Sequence, residues 1–91
     1  MVEVDIDEII ELTKVQEPGR LDLINAIYKC KNGYWSSTGY YRFVDSTNAN
    51  KPGAEWQHSE CIIIEDTSNG NIVIDLLKDG RIGGFEFLKL L

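Results

Sequence analysis

Residues 71–88 read NIVIDLLKDGRIGGFEFL, and their pattern decides the fold class. Ile72, Ile74 and Leu76 alternate with Val73, Asp75 and Leu77, the period of two that a strand imposes. One face is therefore predicted to be buried and the other only partly. Asp79-Gly80 is the residue pair that two-residue hairpin turns favour. Past the turn, Ile82 falls on one parity and Phe85 and Phe87 on the other. Gly83-Gly84 stands between them, where a one-residue bulge would restore the register. The stretch reads as a hairpin of two strands, 71–77 and 81–88.

Working outward, residues 55–65 form a third β-rich run, joined to the hairpin by Asp66-Thr67-Ser68-Asn69-Gly70 with its Asn-Gly turn signal. Tyr40, Tyr41, Phe43 and Val44 predict a further strand over 39–44, after a turn at Ser36, Ser37, Thr38 and Gly39. Between these strands, 45–54 is rich in Asn, Ser, Pro and Gly and reads as a long exposed loop. At the other end, Asp5 with Glu8 three positions on resembles a capping box, and Ile6, Ile9, Ile10 and Thr13 recur at helical spacing. That predicts one amphipathic helix over about 5–15, with Asp7 and Glu8 favouring its positive end and Lys14 its negative end. Pro18 begins a second helix, predicted to run to about Lys31 and to be closed by Asn32-Gly33. The expected fold is α+β: two N-terminal helices packed on a four-stranded, mostly antiparallel sheet, a two-layer sandwich forming a single domain over 1–91.

The same stretch, 71–88, resembles the closing hairpin of a widespread family of short, uncharacterised bacterial proteins, whose chains also end strand, Asp-Gly-Arg-Ile, strand. The resemblance covers about a fifth of the chain and implies the hairpin. That family brings no activity with it.

Ninety-one residues allow one modest core and leave little for a deep, dry active site. The apolar runs are too short or too often broken by charge to span a bilayer, so no membrane partner is expected. An acidic start without an apolar leader points to the cytoplasm. The net charge of −6 divides unevenly, at −5 over residues 1–17, +3 over 18–54 and −4 over 55–91. Such acidity disfavours nucleic acid, whose phosphates reward Lys and Arg, and favours a basic protein partner.

Candidate chemistry is sparse. Cys30 and Cys61 are too far apart for a CxxC pair, and in a reducing compartment both read as buried thiols. His58, Ser59, Glu60 and Cys61 are the one cluster of nucleophile and base types. Regular strand alternation, however, puts His58 and Glu60 on one face and Ser59 and Cys61 on the other. No zinc, calcium or phosphate-loop motif is present, so neither metal nor cofactor is expected, nor catalysis. Six of the nine aromatics fall within residues 28–43, beside Lys29, Lys31 and Arg42, which makes this segment core, a protein-contact surface or a stacking platform for single-stranded nucleic acid, the last opposed by the acidic flanks. The expectation is a small acidic protein-interaction module, of the immunity or antitoxin type that caps a basic toxin. Trp35, Tyr40, Tyr41 and Trp56 are its expected contact anchors, with Glu55, Glu60 and Asp66 steering the partner. The alternative is a non-catalytic structural or regulatory subunit that self-associates through a sheet edge or the apolar tail 85–91.

Overall fold

A computed structural model describes residues 4–44, 57–66 and 70–90. Helix α1 spans Ile6–Gln16, and the Asp5 carboxylate caps it by accepting the Glu8 backbone N–H at 3.1 Å. Its buried side is Ile9, Ile10 and Thr13, the last donating its hydroxyl to the Ile9 carbonyl. Helix α2 is shorter than predicted at both ends, Leu21–Tyr28, because Pro18-Gly19 forms a turn instead of the first helical positions and Lys29 caps its C-terminus, where backbone N–H groups donate to the Ala26 and Ile27 carbonyls. Asn32 takes the left-handed conformation (φ 60°) that the Asn-Gly pair announces.

Among the described residues the sheet has five strands rather than four: β1 Tyr34–Ser37, β2 Tyr40–Arg42, β3 His58–Ile64, β4 Ile72–Leu77 and β5 Ile82–Phe87. Their order is β1-β2-β5-β4-β3, antiparallel throughout. The missed strand is the polar β1, whose serines read as a turn. The turn itself is tighter, at Thr38-Gly39, where Gly39 adopts a positive φ of 83°. As a largely exposed edge strand, β1 has no need of the apolar alternation that marks buried strands. The expected loop at 45–54 and the turn residues Thr67, Ser68 and Asn69 lie outside the described residues.

Both helices cover one face of the sheet, where Ile62, Ile64, Ile72, Ile74, Leu76, Ile82 and Phe85 join Ile9, Ile10, Leu23, Ile24 and Ile27 in the core. The predicted bulge is present. Asp75 pairs with Gly84 and Leu76 with Ile82, which leaves Gly83 as the extra residue and brings Ile82 onto the same face as Phe85. Strand β4 is buried on both faces, contrary to the half-buried reading: Ile72, Ile74 and Leu76 join the core under the helices, while on the other face Val73, Asp75 and Leu77 are buried too, Leu77 clustering with Val44. No helix of the described residues is long and apolar enough to cross a membrane.

Candidate functional sites

The aromatic segment divides between the two faces. Tyr41 and Phe43 pack against the core, and Trp35 sits edge-on to Tyr41 with ring centroids 5.2 Å apart and 5.6 Å from Phe87. Tyr40 lies on the opposite face, its hydroxyl donating to Asp75 Oδ2 and its ring stacked under the Arg42 guanidinium at 4.1 Å. Of the expected steering acids, Glu60 is held by Arg20 at 2.6 Å, and Arg20 also grips Asp22. Asp66 is buried. Glu55 and Trp56 lie outside the described residues.

Two of the expected contact residues, Trp35 and Asp66, meet in one place. They line a surface cleft of about 350 Å³ between α1 and the end of the sheet, with Ile9, Leu12, Ile72 and Phe87 as apolar walls. Asp5, the N-cap of α1, and Glu8 from its first turn complete an acidic rim, and Lys89 is the one base lining it among the described residues. Apolar walls below several carboxylates suit a cationic side chain, whose stem packs while its head is paired. A second cleft, of about 470 Å³, lies between the C-terminal end of α2 and the β4–β5 turn and mixes Lys29, Lys31 and Arg81 with Asp22 and Asp79. Both are open surface features rather than an enclosed active site.

On the face without helices, the structure corrects the reading of His58 and Cys61. His58 pairs with Leu77 and Glu60 with Leu76, so Ser59 is an extra residue bulged out of β3. Strand alternation resets across the bulge, which turns His58 to the same face as Cys61. The Cys61 Sγ lies 3.4 Å from His58 Nε2 and 3.3 Å from Asp75 Oδ1. Asp75 is the residue directly opposite Cys61 on β4, so the two side chains share a face by register alone. Neither cysteine is fully buried as expected: Cys61 is exposed and Cys30 half-buried, and both are free thiols.

Partial burial, the hydrogen bond to Asp75 and the negative charges of Asp75 and Glu86 push the Cys61 thiol up to about 11. A thiol so held is protonated at neutral pH and is a poor nucleophile. The arrangement also departs from a Cys–His–carboxylate relay, since Asp75 meets the sulfur and not the far side of the imidazole. What the three residues do offer is one sulfur, one nitrogen and one oxygen donor, all within 4.8 Å of one another.

No protein-family model matches the chain, and comparisons with curated proteins and with solved structures find no match either.

Proposed function

We propose that the protein is a small binding module for a basic protein partner, acting in the manner of an immunity- or antitoxin-type inhibitor. The acid-rimmed apolar cleft between α1 and the sheet carries this reading. It would take a lysine or arginine side chain of the partner, with Trp35 and Phe87 against the stem and Asp5 and Glu8 near the charge. The overall charge of −6 adds long-range attraction that speeds encounter and weakens with salt. Trp35 keeps its place as an anchor, since tryptophans at the margin of a pocket dominate interface energies. Tyr40 and Tyr41 cannot serve one contact surface together, because they point to opposite faces.

The test is an amide-correlation NMR titration with a peptide of alternating Lys and Leu, at low and at high salt. Saturable, salt-sensitive shifts centred on Glu8, the Trp35 indole and Phe87 are expected, with binding weakened at least about 10-fold in Trp35→Ala. Shifts centred elsewhere, or none that saturate, would overturn the reading.

One observation favours self-association as a second reading. Strand β3 is a seven-residue edge strand bearing Ile63 at 59% exposure. A sedimentation profile that stays monomeric at high concentration removes it.

A further inference from the structure

The three donors on the sheet face opposite the helices are placed by the backbone rather than by chance side-chain proximity. Cys61 and Asp75 are cross-strand partners on β3 and β4, and the bulge at Ser59 adds His58 from one turn of the register away. In a tetrahedral zinc site with metal–ligand distances of about 2.0–2.3 Å, neighbouring donor atoms lie about 3.5 Å apart. The separations here are 3.4 Å from sulfur to nitrogen and 3.3 Å from sulfur to oxygen, so two edges of such a tetrahedron already have the right length.

The surroundings fit as well. Tyr40 donates its hydroxyl to Asp75 Oδ2, which leaves Oδ1 directed at the cluster. A hydrogen bond on the far oxygen of a ligating carboxylate fixes its orientation, the usual role of an outer-shell partner. Asp75 is only 7% exposed, so its position is set by packing. Glu86, facing Tyr40 and Val73 from β5, brings a second carboxylate whose proton affinity is raised by partial burial and by the charge of Asp75. Arg42 is the cation facing this group among the described residues, and it lies over the Tyr40 ring. The face therefore concentrates negative charge that a cation would relieve.

We propose that His58, Cys61 and Asp75 form a three-ligand site for a thiophilic divalent transition ion of the zinc class, with a fourth coordination position left to water or another exogenous donor. The sulfur and imidazole select against magnesium and calcium, which prefer all-oxygen shells. Loading forms a sulfur–metal bond and breaks the Cys61 S–H bond, the proton leaving to solvent. The ion's charge reverses the local preference for the protonated thiol. This site lies on the opposite side of the sheet from the cleft and does not depend on the partner reading.

Cobalt(II) is the probe. Added to the reduced full chain at neutral pH, it should give a thiolate-to-cobalt charge-transfer band with the intense ligand-field absorption of tetrahedral coordination, at one ion per chain and displaced by zinc. Cys61→Ser should abolish the charge-transfer band and Cys30→Ser should leave it intact, with circular dichroism checking that each variant folds. His58→Ala and Asp75→Asn should weaken cobalt binding by at least about 10-fold, and Tyr40→Phe by about 10–100-fold through loss of the outer-shell contact. Cadmium NMR of the unaltered protein gives a reading independent of any variant, a resonance shifted by one sulfur donor. The proposal is overturned by a charge-transfer band that survives Cys61→Ser, by one that disappears in Cys30→Ser, or by weak octahedral cobalt absorption alone.

Discussion

The two faces of the sheet are built from the same five strands and do different work. The face under the helices is a continuous apolar surface, with Ile62, Ile64, Ile72, Ile74 and Phe85 packed against α1 and α2. The opposite face carries Tyr40, Arg42, His58, Cys61, Asp75 and Glu86, a polar array tied together by hydrogen bonds and charge. The strand period of two keeps these sets apart, and two bulges adjust which residues belong to each. Gly83 brings Ile82 into the core, and Ser59 brings His58 out of it. A small domain can thus hold its main core on one side and gather donor groups on the other, among the buried apolar Val73 and Leu77.

That division can be broken most severely from the helix face. Phe85 is fully buried at the centre of the aromatic row, so Phe85→Ala should cost about 3–5 kcal/mol in urea unfolding. The same change should disturb both proposed sites only through loss of the fold. On the open face, the raised Cys61 thiol should react with iodoacetamide about 100-fold more slowly near pH 8 than an ordinary thiol, with a midpoint near 11. The sign is that of an acid whose folded value is raised: its protonated form is favoured in the folded chain, and that contribution to stability is lost as pH rises from about 9 through about 11. Zinc should slow the alkylation further by occupying the sulfur.

Smaller effects sharpen the comparison. Tyr40→Phe removes a hydrogen bond to a buried carboxylate and should cost about 1.5–3 kcal/mol while leaving the core intact. Asp5→Ala removes the α1 cap, about 1 kcal/mol by thermal or urea unfolding. Glu60→Gln should leave the unfolding midpoint essentially unchanged, because its partner Arg20 is solvent-exposed in part and retains Asp22.

Which of these features the sequence announces follows from how strongly each is encoded. The α1 cap, the paired β4 and β5 strands and the Gly83 bulge rest on residues with few alternatives, namely Asp5, Asp79-Gly80 and Gly83-Gly84. Strand β1 is hidden because an exposed edge strand of Tyr, Trp, Ser and Ser carries no apolar alternation. The start of α2 is ambiguous in the sequence because Pro18 suits a helix start and a turn equally well. The His58–Cys61–Asp75 cluster is the deepest miss. Its bulge falls at a serine, a residue without the backbone preference that marks glycine, so regular alternation separated the very groups that the structure joins. Asp75 gave the one available signal, a carboxylate within an otherwise apolar β4. The cleft is only partly legible: chemical type alone points to Trp35 and Asp66, while Asp5 and Glu8 already have a use in capping α1 and favouring its positive end.

The central claim is that the face opposite the helices holds metal ligands while the helix face holds the fold, and zinc titration followed by amide-correlation NMR tests it most directly. The expected result is a one-to-one, saturable change confined to residues of β2, β3, β4 and β5 around Tyr40, His58, Cys61, Asp75 and Glu86, with the resonances of α1 and its carboxylates unmoved. Changes centred on Asp5, Asp7 and Glu8, or a response spread over the chain without saturation, would contradict it.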